Sequence, residues 1–383
     1  MYENAAIIGV GQSAYTRRPE PGQTALHFMR DAVVAALDDA GLTGQEIQGL
    51  AVSSFSLAPD TAVDLAWKLG LSLRWILQDT NGGSSAMNML GHALRSVEGG
   101  AAETILVLGG DATGLAGYAK VAANYNTVTQ KHLSPLGHGG PNGVYALVAA
   151  RQIKTYGLER ADYGHIAIAQ RRWAGKNPNA VYRTPLTMEE YLAAPMIADP
   201  LCRYDCVPVV AGAQALIVAR PDRAPKGRAH VRVRAHRGSF NHDNQTGDGL
   251  QTGIATFAQD LWREAGMRPD DIDHASIYDD YPTMVLAQAT DLGMIPDLDL
   301  SRFCRLTDER RFPINTHGGM LSAGQPGGPA GGLNGITEAV LQLQHRAGDR
   351  QVKDARLAVA TGYGMTMYRY GGTAAAAILE RGP

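Results

Sequence analysis

The chain has 383 residues, of which 45% are hydrophobic and 19% charged, enough apolar material for a large layered core and the wrong composition for a disordered or fibrous protein. Its 35 basic and 37 acidic residues leave a formal charge of -2, so the basic excess that marks nucleic-acid binding is missing, and no apolar run reaches the ~18 residues of a membrane helix. Three cysteines, Cys202, Cys206 and Cys304, cannot make a disulfide framework, and no secretory signal is expected ahead of the first apolar run, so a reducing cytoplasm is the expected setting.

In chain order, Ala5 to Gly11 predicts a buried strand and Thr24 to Ala40 a helix stopped by glycine. A strand follows over Gly49 to Phe55, a helix over Thr61 to Leu69 and a strand over Trp75 to Asp79. The next stretch, Thr80-Asn81-Gly82-Gly83-Ser84-Ser85-Ala86, delivers a helix N-terminus from a strand end, with the helix running to about Val97. Free N–H groups and the positive end of the helix dipole converge there, a place suited to an anion, a carbonyl oxygen or a reactive thiol. Glu103 to Gly109 predicts another strand, and the alternation points to an α/β layered fold.

The second half repeats the first. Residues 31–52 and 256–277 align without a gap, sharing Ala-Gly at the helix end and an isoleucine before the strand. The helix over Gly331 to Arg346 and the strand over Ala355 to Ala360 match the helix after Ser84 and the strand after Glu103. Duplication accounts for this order better than the general similarity of βαβ units. The expected division is 1–111 with 205–222 as an N-terminal half, 223–383 as a C-terminal half, and 112–204 as an inserted covering segment, with helices near Val144 to Tyr156 and Ala161 to Ala174.

These words resemble the thiolase superfamily, in its branch of sterol-carrier-protein thiolases and lipid-transfer-protein-like homologues. "AAIIGVGQSAYTRR", "KNPNAVYRTPLTMEEYLAAPMIADPL" and "NTHGGMLSAGQPGGPAGGLNGITEAV" carry the resemblance, which covers essentially the whole chain. It implies a duplicated, five-layered αβαβα thiolase fold, a homodimer, and a site at the meeting of the halves that takes an acyl-coenzyme A thioester. Coenzyme A then enters as part of the substrate, with no covalently bound cofactor and no metal site. It also implies, for this branch, a small OB-fold partner carrying a zinc ribbon.

The resemblance implies site residues too. The nucleophilic cysteine of the family falls on Thr80, whose hydroxyl has no useful anion fraction near neutral pH, so an acyl-enzyme is not expected. Thr80, Gly82 and Gly83 remain candidates to receive the thioester. The family's second motif reads Tyr278-Asp279-Asp280-Tyr281, making Tyr278 a candidate acid, or a base should a cation lower its pKa; Asp280 is open to a structural reading. Gly324-Gln325-Pro326 stands where thiolases have Gly-His-Pro, leaving Gln325 an amide donor for an oxyanion. His317 and Tyr363 complete the candidate acid/bases, with Gly318 and Gly319 as further oxyanion candidates; His132 and His138 lie in the covering segment. Without the cysteines, retro-aldol cleavage of a β-hydroxyacyl thioester is the expected chemistry, with acyl transfer assisted by a partner, or thioester and lipid binding without catalysis, as the alternatives.

Overall fold

The computed structural model describes residues 2–383 apart from 124, 138–139, 327 and 329–330, so His138 lies outside the described residues. The duplicated segment shows why these residues make these elements. Helix α1 (Ala25–Ala40) stops at Gly41 (φ 65°), whose N–H returns to the carbonyls of Leu37 and Asp38. Its counterpart α8 (Ala258–Ala265) stops at Gly266 (φ 68°) in the same way, on Trp262 and Arg263. A left-handed terminus needs no Cβ, which is why both copies keep glycine there. A capped 3₁₀ turn follows in each copy, at Gly44–Glu46 and Pro269–Asp271, and each turn leads into a strand.

The strands are β1 (Ala6–Gln12), β2 (Gly49–Ser53), β3 (Trp75–Gln78), β4 (Thr104–Asp111), β5 (Met196–Ala198), β6 (Leu201–Cys202), β7 (Gly212–Ala219), β8 (Val231–Phe240), β9 (His274–Ser276), β10 (Leu357–Thr366) and β11 (Gly371–Arg381). Nine of them connect in the order β3-β2-β4-β7-β1-β8-β11-β10-β9, and β5 pairs with β6 apart from them. In one half β2 runs parallel to β4 and β7 antiparallel to both β4 and β1; in the other β9 runs parallel to β10 and β11 antiparallel to both β10 and β8. The halves join through β1 and β8 over Ala6–Arg232 and Ile7–Val231 alone. So short a seam lets the two sheets face each other.

Between those sheets lie α3 (Ser85–Glu98) and α11 (Leu333–Leu343), buried against the inner faces of β4, β7, β10 and β11 in one apolar cluster. Outside the first sheet lie α1 and α2 (Ala62–Lys68); outside the second lie α8 and α9 (Pro282–Asp291). The arrangement is the αβαβα stack of a duplicated thiolase fold. Between β4 and β7 the chain adds α4 (Leu115–Ala123), α5 (Pro141–Tyr156), α6 (Arg160–Ala174) and α7 (Met188–Leu192). Helix α10 (Leu300–Asp308) packs on α6, tying this added layer to the second half. Among the described residues no helix is long and apolar enough to cross a membrane.

Candidate active site

The turn that starts α3 is built by its own side chains. Buried Asp79 accepts the backbone N–H of Asn81 at 2.8 Å and the Asn81 amide at 2.9 Å, and also takes the amide of Asn88 one helical turn on. Ser84 donates to Thr373 of β11 at 2.8 Å, and Thr373 donates to the Asn81 carbonyl at 3.0 Å. The turn is thereby fixed to both halves. Thr80 is exposed, and no hydrogen bond reaches its hydroxyl among the described residues. Gly82 and Gly83 are buried beside it.

Gly83 is where the halves meet. A Cβ there would stand 2.2 Å from the Tyr278 ring and 2.2 Å from the Tyr363 carbonyl, so only glycine lets the phenol approach the helix end. Gly332, at the N-terminus of α11, packs on the Gly83 carbonyl and the Tyr278 ring. Two helix N-termini therefore converge on one phenol, and developing negative charge is stabilised between them.

Tyr278 is held at both backbone groups. Its N–H donates to Thr361 at 2.9 Å and its carbonyl accepts from Gln288 at 2.7 Å, while Thr361 donates to Gln288 at 2.7 Å. The phenol donates to Asp280 Oδ2 at 3.0 Å and accepts from the Gln325 amide at 2.7 Å. Burial, and then the charge of Asp280, push its pKa well above the ordinary value, so Tyr278 is a proton donor at neutral pH rather than a base.

The two aspartates after it have opposite fates. Asp279 points back, accepting the N–H groups of Met320 at 3.0 Å and Leu321 at 3.3 Å, and so caps the turn over Gly319–Ala323. Among the described residues Asp280 accepts from Tyr278 alone, and its enclosed Oδ1 has no hydrogen-bond partner. Burial lifts its pKa to about 7, against the downward pull of the Tyr278 hydrogen bond. A carboxyl poised near neutrality with one unsatisfied oxygen has the protonation range and the open acceptor that general-base chemistry needs. Composition around Asp280 does not reveal this; the signal was its place in the Tyr-Asp-Asp-Tyr word.

The remaining candidates divide. Gln325 joins Tyr278, as described. His317 does not: its carbonyl accepts from Asn177 at 2.8 Å, its ring is buried with neither nitrogen partnered among the described residues, and its electrostatic neighbours are Glu338, Arg350 and His274. Burial lowers its pKa to about 4, keeping it neutral. Gly318 (φ 107°) packs on Ala174, and Gly319 (φ 60°) on Asp279 and Gln170, so neither glycine touches Tyr278. Tyr363 meets Tyr145 edge-on at 6.3 Å, in the aromatic wall and not on the Tyr278 phenol. Gly362 and Gly364 of β10 lie against Gly83, so by the alternation of a strand Tyr363 turns to the opposite face, where its hydroxyl accepts the Gly371 N–H at 3.1 Å. His132 lies in a one-turn helical segment of the covering layer, and among the described residues it makes no hydrogen bond to these groups.

The covering segment walls the site with aromatic rings. Tyr145 stacks on Tyr281 at 4.9 Å, Tyr281 donates to Asn142 at 2.6 Å, and Tyr125 meets Phe55 edge-on at 6.2 Å. A cleft of about 460 Å³ opens among Phe55, Lys120, Val121, Tyr125 and Met365, and the Met365 backbone lies against Gly82. The cysteines are elsewhere or inert: Cys202 and Cys304 are buried, and burial raises the Cys202 thiol to about 11 and the Cys206 thiol to about 12. Among the described residues no group of three metal-ligating side chains is gathered.

Residues 237–381 match the family described as thiolase C-terminal domain-like. The chain is 28% identical over 361 residues to the 17-hydroxy-3-oxo-4-pregnene-20-carboxyl-CoA lyase of Mycobacterium tuberculosis, covering 89% of this chain and 91% of that one. It is 29% identical over 356 residues to the steroid side-chain-cleaving aldolase of Thermomonospora curvata, covering 88% and 89%. Among solved structures, the Ltp2-ChsH2(DUF35) aldolase superposes with a TM-score of 0.83 at 25% identity, over 99% of this chain and 98% of that one. An acetyl-CoA acetyltransferase from Syntrophomonas wolfei shares the fold, with a TM-score of 0.73 at 14% identity over 99% of both chains.

Proposed function

We propose that the chain is a thiolase-like protein of the sterol-carrier and lipid-transfer-like branch and acts as an acyl-coenzyme A lyase of aldolase type, cleaving a β-hydroxyacyl thioester without a covalent intermediate. One observation carries the reading: Asp280, with a free enclosed oxygen and a pKa raised to about 7, is hydrogen-bonded to a phenol held against two helix N-termini. The names of two relatives, a carboxyl-CoA lyase and a side-chain-cleaving aldolase, support it.

In this mechanism the Asp280 carboxylate takes the proton of the β-hydroxyl. The oxygen's electrons form the new carbonyl, the bond between Cα and Cβ breaks, and its electron pair passes to the thioester as an enolate. The helix N-termini at Gly83 and Gly332, with the Gln325 amide, stabilise that enolate. Tyr278, still protonated, hands a proton to Cα and is reprotonated through its bond to Asp280, leaving a shorter acyl thioester and a ketone or aldehyde. Acyl transfer through sulfur is disfavoured, since Thr80 carries only a hydroxyl and the raised pKa values of Cys202 and Cys206 leave almost no thiolate at neutral pH. The cleft of Phe55, Lys120, Val121, Tyr125 and Met365, apolar but for the lysine, suits a bulky apolar acyl group.

For partners, the reading includes a homodimer through the exposed edge strand β3 and a subunit of the DUF35 type, by analogy with the Ltp2-ChsH2(DUF35) aldolase. Three free cysteines fit a reducing cytoplasm. Mass spectrometry of a reaction with a bulky β-hydroxyacyl-coenzyme A is the test. Release of a carbonyl compound with a shortened acyl-coenzyme A is expected. A stable acyl adduct on Thr80 or a cysteine, or no cleavage even with a DUF35-type subunit added, would reject the lyase.

A further inference from the structure

Beside this site the side chains of Arg17, Tyr182, Arg171, Tyr204 and Arg203 form a continuous stack. The Arg17 and Arg171 guanidinium carbons each stand 5.1 Å from the Tyr182 ring centre, on a ring they share, and Arg171 and Arg203 share Tyr204 at 5.4 and 5.0 Å. Elsewhere arginines sit on carboxylates, as Arg228 and Arg346 do on Asp39, or Arg350 on Glu338. Among the described residues none of the three stacked arginines is within ion-pair distance of a carboxylate; Glu190, which acts on Arg171 at longer range, caps α7 through Thr187. Arg171 is buried to 7% exposure, with Nε donating to Ser322 at 2.9 Å and Nη1 to the Thr184 carbonyl at 3.4 Å. Three positive charges thus gather on one face, two exposed and one buried, with no carboxylate at ion-pair distance among the described residues, and their local field attracts an anion.

Two links place the stack next to the site. Ser322, which holds Arg171 and whose carbonyl accepts the Tyr182 N–H at 3.0 Å, is three residues before Gln325, so at most ~11 Å of chain separates them. At the other end Tyr204 is two residues before Cys206, whose thiol interacts electrostatically with Tyr281 of the site wall. We propose that the Arg17–Tyr182–Arg171–Tyr204–Arg203 stack is the docking site for the phosphorylated nucleotide end of the coenzyme A thioester. The rings fix the guanidinium groups in a row; Arg171, with Nε and Nη1 already donating to Ser322 and Thr184, supplies mainly its charge, and the exposed end groups Arg17 and Arg203 carry N–H donors to meet phosphate oxygens. This rests on the acyl-thioester reading but does not depend on cleavage.

Calorimetric titration with coenzyme A, 3′-dephospho-coenzyme A and pantetheine tests it, using Arg17→Ala, Arg203→Ala and the double variant, all at the exposed ends of the stack. Coenzyme A affinity should fall tenfold or more in the double variant and less for the dephospho form, with pantetheine binding unmoved. With a thioester substrate KM should rise while kcat holds. Unchanged coenzyme A affinity in the folded double variant overturns the proposal, and so does an equal loss for pantetheine, which would mean the stack only braces the covering segment. Arg17→Gln and Arg203→Gln repeat the measurement should the alanine variants fold poorly. A coenzyme A-selective loss without turnover would remove the lyase and keep the docking site; turnover with an unchanged KM would do the reverse.

Discussion

Asp280 and Tyr278 differ in what burial does to them. For the phenol, burial reinforces the neutral form it already has, whereas for the carboxyl it brings titration to about pH 7. Turnover should therefore rise with pH through about 7 as Asp280 ionises, and Asp280→Asn should cut kcat by about 10²–10⁴-fold and abolish that limb of the profile. Stability should move the other way. A folded pKa raised above the unfolded ~3.9 means the native state holds the extra proton between about pH 4 and 7, so this group favours folding at acid pH and loses that contribution as pH rises through 7. Asp280→Asn should thus raise Tm at pH 8 and not at pH 4, as calorimetry would record. For His317 and Tyr363 the expectation is small. His317→Leu and Tyr363→Phe should keep kcat within a few-fold, because neither side chain meets Tyr278, Asp280 or Gly83; a 100-fold loss in a folded variant would return either residue to the chemistry.

At the scale of elements, the N-terminus of α3 keeps its geometry through the Asp79 and Thr373 bonds although it lacks a thiol. Thr80→Cys should give a thiol that alkylates far faster than buried Cys202 and Cys304, since position 80 is exposed beside a helix end that stabilises thiolate. Equal, slow labelling of all sites would contradict the placement of that turn. Gly83→Ala tests the meeting of α3 with the second half. The added methyl would collide with Tyr278 and the Tyr363 carbonyl, costing about 1–3 kcal/mol of stability in a denaturant titration and displacing the phenol, so that turnover falls as well. Element boundaries read from periodicity lie close to those observed, the strand near Ala355 being the longest departure, extended to Thr366 by its pairing with β11.

For the whole molecule, the flank formed by β3 and α2 presents apolar side chains to solvent. Trp67 is 78% exposed and Val63 65%, beside a cleft of about 380 Å³ that also includes Trp75 and Ile76. An unpaired strand edge with apolar side chains is a pairing surface. On the proposed homodimer through this edge, light scattering should give twice the chain mass for the parent protein and Ile76→Lys should halve it without unfolding the chain; a monomeric parent would reject the dimer, and an unchanged dimer mass would place its contact elsewhere. By itself the sequence determined the alternation of strands and helices, the duplication and the helix end near Gly82-Gly83, because periodicity, glycine stops and capping turns are local and repeat at fixed spacing. It also marked Tyr278 and Gln325 through short words. Only the tertiary structure decided which groups meet. Strand alternation set Tyr363 against Tyr145 rather than Tyr278, the turn at Gly318 left His317 among Glu338, Arg350 and His274, and backbone N–H groups took up the oxygens of Asp279 while leaving an oxygen of Asp280 open beside Tyr278. Such outcomes depend on distance and desolvation between segments far apart in the chain, which no local pattern encodes.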